Sequence, residues 1–354
     1  MSGTYYVGID VHKKTLVIAV IGAQGEMVSE ETIDADHDAL LLWLKRNRRR
    51  GALRVALEAS GSSPWVTYLL IDEGIDVTPA HPNHIRAIAE TKRKCDRLDA
   101  RKLAELLRLG VLRSVHIPKP EDRATRALLR QMRRLVETRT SAKNTITSLL
   151  AEIGKRSPWT DVFGKRGRQW LAGLDLDPEY LVIVDQELAQ IDLVTQQLKD
   201  LDKALENALK DSPLHTLVRT IPGVGPRLGA AIALEFGDVR RFATAKAAAC
   251  YTGLIPSTYQ SGEKRRGGKI TKEGNAILRW ALVQAVLQQV RVDEGAKKRY
   301  VRLRNRIKRP KARIAMARRL AVAIWHMAKT GEAYRQEPTP EPVKRGRKRG
   351  AATA

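Results

Sequence analysis

Tyr5-Tyr6-Val7-Gly8-Ile9-Asp10 and Thr15-Leu16-Val17-Ile18-Ala19-Val20-Ile21 decide the fold of the front of this chain. The first stretch reads as a short strand that ends on a carboxylate. The second is rich in β-branched residues and predicts a partner strand. Gly22-Ala23-Gln24-Gly25 is a turn, and Met27–Ile33 is a third strand, so the three form an antiparallel meander. Ala39–Arg50 then carries apolar residues at helical spacing. Arg54–Glu58 is a fourth strand, Trp65–Glu73 a helix and Ile75–Pro79 a fifth strand.

Three antiparallel strands followed by alternating helices and strands is the order of a ribonuclease-H-like α/β domain. Other small α/β domains share that order, and strand order alone does not exclude them. Asp96–Leu109 is helical, and Gly110–Pro120 is a linker with one Gly and two Pro.

Further along, Glu121–Gly154 is a long helix. Leu128, Leu129, Met132, Leu135, Val136, Ile146, Leu149 and Leu150 lie on one side, and Arg123, Arg126, Arg130, Arg133, Arg134, Arg139 and Lys143 on the other. Glu179–Lys210 is a second long helix. Its apolar residues alternate four and three apart, with breaks at Thr195 and Asp202. The pair reads either as an antiparallel coiled-coil arm, about 45 Å long, or as the wall of an ordinary helical bundle. Ile221-Pro222-Gly223-Val224-Gly225 lies between apolar helices and is a helix-hairpin-helix candidate. The domains expected are 1–115, 116–212 (the arm), 213–331 (mostly α) and a disordered basic tail, 332–354.

Charge points to the partner. The 354 residues carry a net charge of +25. Residues 1–100 hold 13 Lys and Arg against 14 Asp and Glu, net −1, whereas residues 241–354 hold 28 against 7, net +21. A neutral front joined to a basic back fits a chain whose back holds a polyanion. Cys95 and Cys250 are too few for a disulfide scaffold or most zinc sites, and fit a reducing, cytoplasmic compartment. No run of 18 apolar residues exists, so no membrane span is expected, and the N-terminus reads directly into a strand rather than a signal peptide.

Four acids can carry chemistry. Asp10 ends the first strand and Glu58 the fourth, and these strands are neighbours in a ribonuclease-H-like sheet. Asp96 and Asp99 lie three apart on one helix, so they share a face. Four converging carboxylates repel unless a cation sits among them. Hard oxygen donors suit Mg²⁺, and a pair of such ions polarises a scissile phosphate. Helix capping or pairing with Lys92, Arg93, Lys94, Arg97 and Arg101 is the plain alternative for the second pair.

The segment Gly253–Arg279 is polar, Gly-rich and basic. Ser261-Gly262 is expected in a flexible loop with Lys264, Arg265, Arg266, Lys269, Lys272 and Arg279 around it in sequence. Such cations can hold a phosphodiester and stabilise developing charge near a serine nucleophile. The alternative is a phosphate-gripping turn whose serine only hydrogen-bonds, and Ser257 is the rival serine. Gly223 and Gly225 can present backbone amides to a phosphate or form a tight turn between packed helices.

These motifs together resemble a known family. Gly8-Ile9-Asp10-Val11-His12-Lys13, Leu57-Glu58-Ala59-Ser60-Gly61 and Asp96-Arg97-Leu98-Asp99-Ala100-Arg101 resemble the RuvC-like DEDD domain of insertion sequence 110 family transposases. Thr220–Gly225 and Thr252–Arg279, with Pro-x-x-x-x-Ser-Gly and Ile-Thr-Lys-x-Gly-Asn, resemble that family's C-terminal transposase domain. Together the motifs span roughly residues 4–330. Cys95 stands where the family usually has Thr. The resemblance implies a DNA recombinase guided by a structured non-coding bridge RNA that pairs with donor and target DNA. It implies Asp10, Glu58, Asp96 and Asp99 as Mg²⁺ ligands, Ser261 as a nucleophile forming a covalent DNA intermediate, and exchange through a Holliday junction.

A large basic surface with only 5% aromatic residues suits recognition of structured RNA through phosphates and 2′-hydroxyls. The arm can pair chains into a dimer or tetramer that shares active sites. Two readings stand beside this one: a junction-resolving or nicking nuclease using metal-activated water, and a non-catalytic nucleic-acid-binding protein. A sugar-kinase-like ATPase is disfavoured, because Val11-His12-Lys13 makes a poor phosphate turn.

Overall fold

The computed structural model describes residues 3–82, 85, 96–261 and 264–335, with the side chains of 96–97, 258–261 and 264–267 outside that description. It divides into two compact units, one ending at Pro118 and the other beginning at Lys119.

In the first unit the strands β1 (Gly3–Val11), β2 (Thr15–Ile21), β3 (Met27–Asp34), β4 (Gly51–Glu58) and β5 (Asp76–Ala80) form one sheet in the order β3-β2-β1-β4-β5. β1, β2 and β3 pair antiparallel, whereas β4 pairs parallel with both β1 and β5. This mixed sheet fits the ribonuclease-H-like expectation.

Alternation along the strands sorts residues to two faces. Val7, Ile9, Leu16, Ile18, Val55 and Leu57 are fully buried or nearly so and share a core with Trp43, Leu40, Val66 and Leu70. That face is covered by α1 (His37–Asn47) and α2 (Pro64–Asp72). Asp36 starts α1 by accepting a 2.8 Å hydrogen bond from the Ala39 amide. The opposite face carries Gly8, Val17, Ala19 and Ala56. Small residues there let α3 (Asp96–Arg108) lie directly on the sheet, with Ala100 packed on Val17 and Ala19, and Leu103 and Leu107 on Ala56.

The second unit begins with two long helices, α4 (Pro120–Glu152) and α6 (Pro178–Leu209), with the short α5 (Lys165–Ala172) between them. They pack antiparallel: Leu129 and Met132 meet the Leu198–Leu205 end of α6, and Leu149 meets Val184. After them come α7 (Pro213–Arg219), α8 (Pro226–Phe236), α9 (Ala245–Tyr251), the strands β6 (Pro256–Ser261) and β7 (Lys264–Ile270), then α10 (Ala276–Val292), α11 (Glu294–Arg306) and α12 (Arg309–Thr330). Ile221, Phe236, Leu278, Leu282, Ala285 and Ile324 form the centre of their shared core. No helix among the described residues is long and apolar enough to cross a membrane.

Two sequence expectations change here. The expected Ser261 loop is instead a β-hairpin: β6 and β7 pair antiparallel, with Ser261 in register with Lys264. The hydrophobic pattern that betrays most strands is absent from Lys264–Ile270, where three cations and two glycines come first. Arg126, expected on the cationic outer side of its helix, is only 5% exposed. Its Nε donates to the Leu234 carbonyl at 3.0 Å, and its Nη1 lies 3.8 Å from Glu235 Oε2.

Candidate functional site

The acids are placed by register. Ile9 of β1 pairs with Leu57 of β4 in the parallel ladder, so Asp10 and Glu58 stand one step beyond, at neighbouring strand ends. Paired positions share a face, and the face of Gly8 and Asp10 is the one under α3. Asp10's antiparallel partner, Val17, packs on Ala100 of that helix.

The direction of α3 follows from its contacts. Arg108, at its C-terminal end, donates to the Ala23 carbonyl beyond the far end of β2, while Ala100 covers Gly8 and Val17. The helix therefore runs antiparallel to β1, and its first turn, with Asp96 and Asp99, lies toward the Asp10 end. Gly8 makes this approach possible. A Cβ there would collide with the Ala100 carbonyl oxygen and sit 2.6 Å from the Ala104 amide nitrogen.

The carboxylates have partners. Asp10 Oδ2 lies 3.0 Å from His12 Nε2, with the acid 18% and the imidazole 40% exposed. Asp99 Oδ1 lies 3.5 Å from Lys102 Nζ. Among the described residues no three His, Cys, Asp or Glu side chains stand close enough to hold a metal ion. The side chain of Asp96 lies outside the description, as does Cys95. The donor set at the strand ends is nonetheless all oxygen, on rigid elements, which is the chemistry a hard divalent ion needs. His12 was not singled out by sequence reasoning; its spacing of two from Asp10, across the start of a turn, was the available signal. Ser60, Ser62 and Ser63 fold the loop after β4 back on itself, and Ser62 Oγ reaches the Val11 carbonyl at 3.5 Å.

In the second unit, Ser261 closes β6, and Gly262 lies outside the described residues. The side chains of Lys264, Arg265 and Arg266 also lie outside, although their backbone is in β7. Ser257 is engaged: its Oγ donates to the Lys269 carbonyl across the hairpin at 2.9 Å. Lys269 and Lys272 are exposed. Lys272 has φ 57°, the only positive φ of a non-glycine among the described residues, a conformation that costs about 1 kcal/mol. Its amide donates to Gly253, and Arg279 Nη1 donates to both the Lys272 and Thr252 carbonyls at 3.3 Å. Arg279, expected to grip nucleic acid, also holds the hairpin's exit through these two bonds.

Asn275 begins α10, its Oδ1 accepting from the Ile277 and Leu278 amides at 2.9 Å. Its Nδ2 donates to Glu235 Oε2 at 2.5 Å. Arg126 approaches the same carboxylate, so α4, α8 and α10 meet at one buried acid that sequence reasoning did not find.

The Gly223 turn packs rather than opens. Gly223 has φ +80°, and a Cβ there would lie 2.8 Å from Gln288 and 2.9 Å from the Gln289 amide. The tight-turn alternative therefore describes Gly223. Gly225, which precedes α8, has open space around its Cβ position.

Comparison with known proteins now gives the family. Residues 7–155 match the model of the DEDD transposases of IS110 type, described as a transposase. Residues 215–301 match the model described as the transposase IS116/IS110/IS902 family. The chain is 28% identical to a putative transposase, y4pF/y4sB, of Sinorhizobium fredii over 80% of this chain and 74% of that one. It is 25% identical to the transposase for insertion sequence element IS1111A of Coxiella burnetii, over 93% and 90%. It is also 25% identical to a probable family 20 transposase of Pseudomonas aeruginosa, over 85% and 93%. A DEDD-type domain points to divalent-metal use, and a transposase acts on DNA. Two family models in the expected order, the first running from the α/β unit through α4 and the second within the helical unit, show that this chain is a transposase of the IS110 family.

Proposed function

We propose that the chain is an RNA-guided DNA recombinase that moves its own element, with Asp10, Glu58, Asp96 and Asp99 as ligands of Mg²⁺ and Ser261 as nucleophile. The observation that carries the metal assignment is the seating of α3 on Gly8, which aims its first turn at the end of the sheet where Asp10 and Glu58 are neighbours. When bound, the divalent ions supply positive charge to the scissile phosphate and its leaving oxygen. His12 orients Asp10 through its hydrogen bond.

Ser261 Oγ attacks the phosphorus and loses its proton. The Oγ–P bond forms as one P–O bond of the DNA backbone breaks, and the leaving sugar hydroxyl is released with a proton. A seryl phosphodiester keeps the energy of the broken linkage for rejoining to another strand. Ser257 is the poorer nucleophile, because its hydroxyl is committed to the Lys269 carbonyl. Exposed Lys269 and Lys272 stand near the hairpin base to hold phosphate. The basic second unit supplies the surface for a structured guide RNA and for donor and target duplexes. The antiparallel α4–α6 pair is read as a coiled-coil arm that joins chains, and α7–turn–α8 as a helix-hairpin-helix element.

The test is covalent capture. The chain, its guide RNA, Mg²⁺ and end-labelled DNA are mixed and run under denaturing conditions. A labelled adduct is expected for the wild type and for Ser257→Ala, and none for Ser261→Ala. An adduct that survives in Ser261→Ala, or one mapped to Ser257, removes Ser261 from the mechanism. Cleavage with no adduct in any variant favours the metal-activated-water nuclease.

A further inference from the structure

The six tryptophans of the chain have very different surroundings. Trp43 is fully buried, Trp65 packs on the first unit's core, and Trp170 and Trp325 pack on cores of the second. Trp159 is 41% exposed but carries Arg166 over its ring at 5.1 Å. Trp280 is different. It is 54% exposed, belongs to no core cluster, and among the described residues no ring or cation stacks on it. A half-bare indole offers one of the largest flat apolar faces a protein can present, and such rings are concentrated where something binds.

Its position gives the occupant. Trp280 lies in the first turn and a half of α10, directly after the hairpin that ends in Ile270. One side of α10 is sealed by Leu278, Leu282, Ala285, Val286 and Gln289. The other side, at steps of four, runs Trp280, Gln284, Gln288, with Arg291 exposed near the end. Gln288 is the residue on which the Gly223 turn packs. The outer face of α10 therefore spans from an aromatic platform next in sequence to Arg279, which holds the hairpin's exit, past two amides, to the turn before α8.

Eight residues at 1.5 Å per residue make this span about 12 Å. That equals about three to four nucleotides at 3.4 Å per base. The cations are in modest excess: Lys269, Lys272 and Arg291 are exposed, against the exposed acids Glu273 at the hairpin's exit and Glu294 just past the helix. A neutral, apolar partner or a duplex presenting only phosphates would leave either the cations or the indole unused. An unpaired strand uses both, with a base on the ring and phosphates on the cations.

We propose that the outer face of α10 is a track for a short single-stranded stretch of DNA, with Trp280 as the stacking platform for one of its bases. The proposal rests on and deepens the recombinase reading, since strand exchange requires an opened duplex. It does not depend on Ser261 being the nucleophile.

The experiment uses the full chain and reads binding, so that failure of the chemistry and failure of the track are separable. Fluorescence anisotropy measures affinity for a 12-mer of thymidylate, for a blunt 20-base-pair DNA duplex and for an RNA hairpin without single-stranded tails. Trp280→Ala is expected to weaken thymidylate binding about tenfold, with smaller changes for the duplex and the hairpin. Trp280→Phe should retain most of the affinity. Both variants should melt at the wild-type temperature, because the ring is exposed. Thymidylate should also quench indole emission, and less so in Trp280→Phe. Wild-type affinity in Trp280→Ala overturns the proposal. An equal loss on the RNA hairpin or the duplex also overturns it, by assigning the face to a paired nucleic acid. A change of sedimentation coefficient in Trp280→Ala overturns it too, by assigning the face to a second copy of the chain.

Discussion

Gly8 and Ala100 touch backbone to backbone: the strand that ends in Asp10 and the helix that begins with Asp96 are held together where a single missing side chain lets them meet. Gly8→Ala puts a methyl into the Ala100 carbonyl and the Ala104 amide, both backbone atoms that cannot swing aside. The helix must rise from the sheet, with an expected loss of about 1–3 kcal/mol, read by denaturant unfolding. DNA cleavage should fall more than stability alone explains, since lifting α3 carries Asp99 away from the strand ends. Wild-type stability and cleavage together would mean that this contact does not set the site.

The acids themselves should behave in the opposite sense. Asp10→Ala, Glu58→Ala and Asp99→Ala are each expected to abolish recombination while leaving the fold and RNA binding nearly intact. All three are partly exposed, so little packing is lost, and the contacts that Asp10 and Asp99 give up, to His12 and Lys102, are partly solvated and weak. Without added divalent ion the mutants should melt close to the wild-type temperature. Two single mutants that recombine at the wild-type rate would remove the metal site.

At Glu235, breaking the network should cost far more than removing a surface ion pair. Arg126 is 5% and Glu235 2% exposed, and Glu235 Oε1 is buried without a hydrogen-bond partner among the described residues. Arg126→Ala leaves a buried carboxylate with Asn275 alone, at an expected cost of about 3–5 kcal/mol. Asn275→Ala removes both the cap of α10 and the Glu235 contact, about 1–2 kcal/mol for the cap plus the orphaned acid. Glu235→Gln, which keeps the shape and the Arg126 approach, should be milder than either. Urea midpoints of the four proteins give the order directly.

His215 gives a pH dependence. Burial pushes its imidazole below the ordinary histidine value, and Arg219 nearby adds to the effect. The neutral ring is therefore the folded form, and the unfolded chain takes up the proton first as pH falls. The contribution is fully present above pH about 6.5, the unfolded value, and is lost as pH drops from there toward the lowered folded value. His215→Leu should flatten the fall in stability that sets in as pH drops below about 6.5. An unchanged slope in that variant would assign the acid sensitivity to another group.

The first unit was legible because its strands announce themselves. Thr15–Ile21 is almost all β-branched or apolar, and the strand ends at Asp10 and Glu58 follow from alternation and chain order alone. The hairpin of Pro256–Ile270 was not legible, because Lys264, Arg265 and Arg266 hide a strand behind charge. Arg126 was misplaced for a similar reason. Helical periodicity put it among arginines that face water, and only the Leu234 carbonyl and Glu235, more than a hundred residues away, show why one of them turns inward. His12 and Glu235 acquire meaning from a neighbour in space, which spacing in sequence does not reveal.

The register of β1 against β4 also sets what kind of genetic change this transposase can survive. Residue identities along β1 can drift, provided small ones stay under α3. Length cannot. One codon inserted between Gly8 and Asp10 would turn the carboxylate to the Trp43 face, away from α3, while leaving composition and strand propensity almost untouched. Insertions in this domain should therefore collect in turns such as Gly22–Gly25, and lineages that carry one within β1 should survive only as inactive copies.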